Sequence, residues 1–277
     1  MTINCNGQLI DLSQPKVMGI LNVTPDSFYD GGSYKNESDI LAQVENMLNE
    51  GATFIDIGGY SSRPGADFVS EDEELQRVIP ITELILKHFP HAIISIDTFR
   101  SKVAEASIAA GAALINDISG GHLDKEMLTT VGQLSVPYIM MHMRGTPKTM
   151  QKLTVYEDLT KEVLSYFGER IAQAHNAQIK DIIIDPGFGF AKTLEQNYEL
   201  LNKLELLQIT EKPILSGVSR KSMIYKPLKT NAQNALNGTT AIHMVCLQKG
   251  SSILRVHDVK EAMECVTLFN QINPQNP

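Results

Sequence analysis

The chain has 277 residues, with 24 Lys and Arg against 32 Asp and Glu, a formal charge of -8 and 43% hydrophobic content. The acidic balance excludes broad binding to nucleic acid or an anionic membrane through a general field, so an anionic ligand needs a local basic pocket. No apolar run approaches the roughly 20 residues that span a bilayer, and the N-terminus MTINCNGQLIDLSQP has no basic-then-apolar leader pattern. Cys5, Cys246 and Cys265 form no CxxC pair, so the expectation is a cytoplasmic protein with inert thiols, without a disulfide framework or zinc site.

In chain order, the first strand is VMGIL (17 to 21), which runs into the polar segment GILNVTPDSFYDGG (19 to 32). Ile40, Leu41, Val44, Met47 and Leu48 then fall at helical spacing, with Gly51 placed to stop the helix. FIDIG (54 to 58), IISI (93 to 96), ALIND (113 to 117), VPYIMMH (136 to 142), DIIID (181 to 185), PILSG (213 to 217) and SILRV (252 to 256) follow as strands. They are nearly continuous apolar runs, the pattern of strands buried on both faces. Helices are expected between them at about 71 to 88, 100 to 110, 124 to 133, 157 to 175, 195 to 208, 236 to 248 and 258 to 268. Eight alternating units in a chain near the usual ~250 residues is the arithmetic of a TIM (β/α)8 barrel, α/β in class and one domain over residues 1–277. A doubly wound open sheet uses the same units, but no GxGxxG follows the first strand, where a dinucleotide fold needs its phosphate turn.

Active sites of such barrels lie at the C-terminal ends of the strands. Asn22 ends the first strand; Ser61, Ser62 and Arg63 follow the second, Asp97 the third, Asn116 the fourth, His142 the fifth, Asp185 the sixth, Lys221 the seventh, and Arg255 with His257 the eighth. Singly, each has a structural explanation: Asp97 as an N-cap, Asn116 and Asp117 as an Asx turn, Asp185-Pro186-Gly187 as a turn, His142 as a packed strand-end histidine. Independent caps would not put a polar group after every strand. Two carboxylates with an amide suit a flat heterocycle bearing several N–H donors, as in guanine or pterin recognition. Lys221 supplies a donor for a ring carbonyl, and Arg255, His257 and Arg63 form a cationic cluster for a phosphate or diphosphate. SGVSRKSM (216 to 223) turns through Gly217 into an expected helix start suited to an anion.

The motifs MGILNVTPDSFYDGG (18 to 32), DIGGYSSRPGA (56 to 66), SIDTFRSKVA (95 to 104), INDISGG (115 to 121), MHMRGTPKTMQ (141 to 151), DPGFGFAK (185 to 192), GVSRKS (217 to 222) and LRVHDV (254 to 259) occur in this order. In them the chain, from about Pro15 to Met263, resembles the dihydropteroate synthase family. The resemblance implies a TIM barrel, usually a homodimer, that joins para-aminobenzoate to hydroxymethyl-dihydropterin diphosphate in folate synthesis, with Mg2+ as cofactor and sulfonamides as competitors of the aminobenzoate. By position it assigns the pterin to Asp97, Asn116, Asp185 and Lys221, with Met141, Phe190 and Gly217 lining the slot. It assigns the metal to Asn22 and the diphosphate to Asn22, Arg63, Arg255 and His257. The aminobenzoate pocket falls to Phe28, Ser62, Arg63, Pro64 and Ser222, and Asp97, Lys221, Arg255 and His257 are the expected catalytic groups.

The second loop departs from the family pattern, with Tyr60 where many members have Glu and Ser62 where they have Thr. Two rivals share the slot. A pterin-dependent methyltransferase barrel has no need of the Asn22 loop or of the SRPG and SRKS segments, and a non-catalytic pterin-binding paralogue would lose Lys221, Arg63 or the diphosphate anchors; all are intact here.

Overall fold

The structure is a computed structural model that describes residues 1–23, 29–30, 33–34, 37–60 and 69–274. Two short antiparallel strands open the chain, β1 (Thr2–Cys5) and β2 (Gln8–Asp11). The barrel proper is β3 (Lys16–Asn22), β6 (Phe54–Gly58), β7 (Ile93–Asp97), β8 (Leu114–Asp117), β9 (Tyr138–Met141), β10 (Ile182–Asp185), β11 (Ile214–Ser216) and β12 (Ser251–Val256), and β4 (Tyr29–Asp30) pairs with β5 (Ser33–Tyr34) inside the first loop. The eight barrel strands form a closed sheet in the order β10-β11-β12-β3-β6-β7-β8-β9, each neighbour parallel. This is the TIM barrel expected from the alternation.

The helices are α1 (Glu37–Asn49), α2 (Glu71–His88), α3 (Ser101–Ala109), α4 (Met127–Leu134), α5 (Leu159–Asn176), α6 (Leu194–Asn202), α7 (Ser222–Tyr225), α8 (Leu236–Gln248) and α9 (Val259–Ile272). Ser70, Asp158 and Thr193 cap α2, α5 and α6 by accepting from the N3 amide of each helix, and Gln196 completes a capping box at α6. The helix expected over 195 to 208 divides into α6 and a 3-10 segment, Leu204–Thr210. Leu201, Leu204 and Leu207 are all buried, and their spacing of three matches the tighter turn rather than 3.6 residues.

Strand side chains alternate between two cores. Ile55, Ile57, Ile94, Ile96, Ile115, Tyr138, Met140, Ile182 and Ile184 face outward into the layer shared with the helices. Met18, Phe54, Ile93, Leu114, Ile139, Ile183, Leu215 and Ile253 form a second cluster, the floor of the barrel interior, with Ile3, Cys5, Ile10 and Leu12 of the N-terminal segment. The hairpin is therefore a plug across the N-terminal end of the barrel. Its turn is Asn6-Gly7, both at positive φ (51° and 85°), the conformation a two-residue hairpin needs. All three cysteines are buried and free, and burial pushes the Cys5 and Cys246 thiols up to about 12. Among the described residues no helix is long and apolar enough to cross a membrane.

Candidate active site

The inner-face alternation that builds the floor also delivers the polar residues. Two positions beyond Phe54 on the same face is Asp56, then Gly58; beyond Ile93 come Ser95 and Asp97; beyond Leu114, Asn116; beyond Ile183, Asp185; beyond Ile253, Arg255. Asn22, Gly58, Asp97 and Asn116 stand on one rung of the sheet, each paired with the next across β3, β6, β7 and β8. A Cβ on Gly58 would sit 3.8 Å from both Asn22 Oδ1 and Asp97 Oδ2, which places those two oxygens over it.

Asp56 is the centre of the network below this rung. It is wholly buried. One carboxylate oxygen accepts from Ser95 Oγ, and the other accepts from Asn116 Nδ2 at 3.0 Å and Arg255 Nε at 2.6 Å. Arg255 Nη2 donates onward to Asp97 Oδ2 at 2.8 Å. The guanidinium is half-buried, and although burial opposes its charge, Asp56 and Asp97 hold the Arg255 pKa above its ordinary value. Burial, the strongest influence on Asp97, pushes its carboxyl up to about 7; Arg255 pulls it down while Asp56 repels. Arg255, expected as a diphosphate anchor, is thus already engaged by two carboxylates.

The opposite wall carries Asp185 and Lys221. A Cβ on Gly217 would lie 3.9 Å from each of Asp185 Oδ2, Lys221 Nζ and Arg255 Cβ, so these groups converge around one position. Burial raises the Asp185 pKa against the pull of Lys221, and lowers that of Lys221 to about 8 against the pull of Asp185. Lys221 Nζ donates to Phe188 O at 2.5 Å and lies 4.8 Å from the centre of the Phe190 ring. Phe190 packs with Met141, Ile118, Met143 and Met150 in an apolar cluster of its own at the mouth. The arrangement is a slot with apolar walls, hydrogen-bond acceptors along one edge and a lysine donor along another, suited to a flat heterocycle.

The other expected residues distribute as follows. Ser222 is the first residue of α7 and lines a cavity of about 230 Å3 beside the mouth together with Gln151, Gly189, Lys192, Asn197 and Lys226. The helix there is only four residues long, so fewer aligned peptide dipoles act on an anion than at the start of a full helix. His257 is exposed and its Nδ1 lies 3.1 Å from Ser219 Oγ. His142 is buried, edge-on to Tyr166 with ring centres 4.9 Å apart. Phe28, Ser62, Arg63 and Pro64 lie outside the described residues. Asp56 escaped the sequence reading because a charge in the middle of FIDIG looks like an interruption of a strand; its signal is its place two residues before Gly58, on the face that ends in the mouth.

For magnesium, the described residues contain no group of three or more His, Cys, Asp and Glu that could cage an ion. They do offer the Asn22 amide oxygen, over Gly58 beside Asp97. A single hard oxygen donor fits an ion that keeps most of its water and arrives on substrate phosphates.

Fold and site together define a barrel that holds a flat, multiply hydrogen-bonding heterocycle at its mouth, and the family model described as pterin binding enzyme matches residues 18–257. The dihydropteroate synthase of Escherichia coli (strain K12) is 44% identical over 268 residues, 96% of this chain and 94% of that one. The crystal structure of the Yersinia pestis dihydropteroate synthase with a sulfonamide drug superposes with a TM-score of 0.93 at 42% identity, covering 99% of this chain and 100% of that chain. The Xanthomonas albilineans dihydropteroate synthase in complex with 7,8-dihydropteroate does so with a TM-score of 0.88 at 35% identity, covering 100% of both. The chain belongs to the dihydropteroate synthase family of pterin-binding enzymes.

Proposed function

We propose that the chain joins para-aminobenzoate to hydroxymethyl-dihydropterin diphosphate, giving dihydropteroate and diphosphate. The observation that carries this reading is the convergence of Asp97, Asn116, Asp185, Lys221 and Arg255 on one slot, in a chain whose relatives include one solved with 7,8-dihydropteroate. The slot alone is shared with a pterin-dependent methyltransferase; the match to dihydropteroate synthases over nearly the whole chain favours the synthase over it, and the intact Lys221, Arg255 and His257 favour it over a non-catalytic paralogue.

In the reaction the arylamine nitrogen forms a bond to the pterin methylene carbon, the carbon–oxygen bond to diphosphate breaks, and the amine loses a proton. No enzyme nucleophile is needed, because the second substrate supplies it. Asp185 and Asn116 accept from the N–H groups of the pterin ring, and Lys221, held by Phe188 O, donates to its carbonyl. Asp97 stands on the same rung as Asn116 and stabilises positive charge developing on the methylene. Met141 and Phe190 cover the ring faces, and Gly217 leaves the ring room. Arg255 and His257 meet the diphosphate, Arg255 with a charge partly offset by Asp56 and Asp97, so the family pattern that adds Arg63 is chemically reasonable. Asn22 would hold Mg2+ through its amide oxygen, and the ion, when bound, would offset charge on the departing diphosphate. Ser222 faces the aminobenzoate, with Phe28, Ser62, Arg63 and Pro64 completing that pocket by family position, where sulfonamides compete. The protein acts in the cytoplasm as a homodimer of single-domain barrels.

The test is to incubate the protein with Mg2+, the pterin diphosphate and para-aminobenzoate and to follow dihydropteroate and diphosphate by chromatography. Stoichiometric appearance of both is expected; a protein that binds the pterin diphosphate yet releases neither product is a binding protein and not a synthase.

A further inference from the structure

The segment Pro186–Ala191 shapes one wall of the slot, yet it is an irregular loop with three left-handed residues, Gly187 (φ 70°), Gly189 (φ 83°) and Ala191 (φ 50°). One backbone hydrogen bond lies within it, Phe190 N–H to Gly187 O at 3.1 Å; Asp185 Oδ1 accepts from Gly187 N–H, Asn197 Oδ1 accepts from Gly189 N–H and Tyr156 Oη donates to Ala191 O, and the remaining ties come from lysine side chains. On one side it feeds the site: Phe188 O receives Lys221 Nζ, and the Phe190 ring faces that same ammonium. On the other side lies Lys192, 8% exposed, whose Nζ is 3.0 Å from each of Gly187 O, Phe190 O and His142 Nδ1. Two feet of this tripod stand on the loop and the third on the barrel frame. His142 follows β9 directly; its backbone N–H donates to Asp185 O at 2.9 Å, and its ring packs on Tyr166 of α5, whose hydroxyl donates to Met141 O at 2.8 Å.

An ammonium has three N–H groups and no acceptor, and this one meets three acceptors. Were the amine neutral, its two remaining N–H groups would serve the two carbonyls and its lone pair would accept from His142 in the other tautomer. All three contacts therefore survive either protonation state, which is how a lysine can be buried here beside Asp185, Lys221 and Arg144, the charged groups that act on it. The loop packs closely on the frame at this point: a Cβ on Gly187 would meet His142 O at 2.1 Å.

We propose that Lys192, seated on His142, is a positioning residue for pterin recognition: it ties the Gly187–Phe190 loop to the barrel and so fixes Phe190 and, through Phe188 O, the Lys221 ammonium. The inference rests on the synthase reading for the identity of the ligand, and it goes beyond it in assigning a role to two residues that reading leaves without one.

Lys192→Met removes all three contacts while keeping an unbranched apolar side chain. The expected result is a rise of about tenfold in the KM for the pterin diphosphate, a smaller fall in kcat, and a similar loss of affinity for 6-hydroxymethylpterin by calorimetry. Because lysine and histidine act as one unit, His142→Leu added to Lys192→Met should cause no further loss. Should Lys192→Met fail to fold, Lys192→Gln, which keeps an N–H donor in the burial site, is measured in its place.

A variant that loses thermal stability but keeps the parent's pterin KM and affinity within about twofold would overturn the proposal, as would multiplicative effects in the double variant. If the parent binds 6-hydroxymethylpterin but makes no dihydropteroate, the synthase reading fails and the positioning role is decided by calorimetry alone. If the parent turns over and the variants match it, the positioning role alone fails.

Discussion

The two ends of the barrel are built from the same eight strands, yet they solve opposite problems. At the floor, Met18, Phe54, Ile93 and Ile253 meet Ile3, Cys5, Ile10 and Leu12 of the plug, and the interior is apolar. Two residues further along the same inward face, Asp56, Ser95 and Arg255 form a hydrogen-bonded ionic network, and at the rim above it stand Asp97, Asn116 and Asp185. Removing water from the floor stabilises the fold at about 1.5–3 kcal/mol for each large side chain. Removing it from the mouth costs energy that only pairing offsets. Stability is concentrated at one end and chemistry at the other, and substitutions at the two ends should separate accordingly.

The largest effect is expected at the mouth. Asp185→Asn keeps the shape of the slot and its turn but removes a charged acceptor, and should lower kcat/KM by roughly 10²–10³-fold with a thermal midpoint close to the parent's; a large loss of stability with normal turnover per folded molecule would erase the distinction between the ends. At the floor the outcome inverts. Ile3→Ala, at a position 2% exposed, should destabilise by roughly 2–4 kcal/mol in a denaturant titration while kcat and both KM values stay at parent levels.

A third test uses a buried group that belongs to neither end. His243 of α8 is 1% exposed, and among the described residues neither ring nitrogen has a hydrogen-bond partner. Burial lowers its pKa from 6.5 to about 4. The unfolded chain then holds more protons than the folded one between those values, so stability from this group is present above pH 6.5 and is lost as pH falls towards 4, by roughly 3 kcal/mol over the window. His243→Leu should flatten that part of the pH–stability curve, and an unchanged slope would show that the ring is paired in solution. The smallest effect belongs to the surface: the Lys102–Glu71 pair at 2.9 Å joins α3 to α2, and Lys102→Ala should leave turnover and thermal midpoint indistinguishable from the parent's, since exposed pairs contribute little.

What could be read from the sequence follows the same division. The barrel strands were legible to within two residues or so at each end, because strands buried on both faces leave continuous apolar runs. Asn22, Asp97, Asn116, Asp185 and Arg255 were legible because they end or nearly end those runs. Asp56 was not, since its partner Arg255 lies 199 residues away and only closure of the barrel brings them together. Lys192 and His142 are 50 residues apart and meet for the same reason. The plug was hidden by its brevity: TINC and QLID are too short to show a period, and Asn6-Gly7 alone could have marked the hairpin. Arg255 kept its place but changed its company, because sequence position fixes where a cation stands and not which carboxylates reach it.

The most direct test of this division is a crystal structure of the protein with 6-hydroxymethylpterin bound. The ring is predicted to lie at the mouth between Met141 and Phe190, with its N–H edge on Asn116 and Asp185 and its carbonyl towards Lys221. A ring bound anywhere else, or one in the mouth that makes no hydrogen bond to Asp185, would contradict it.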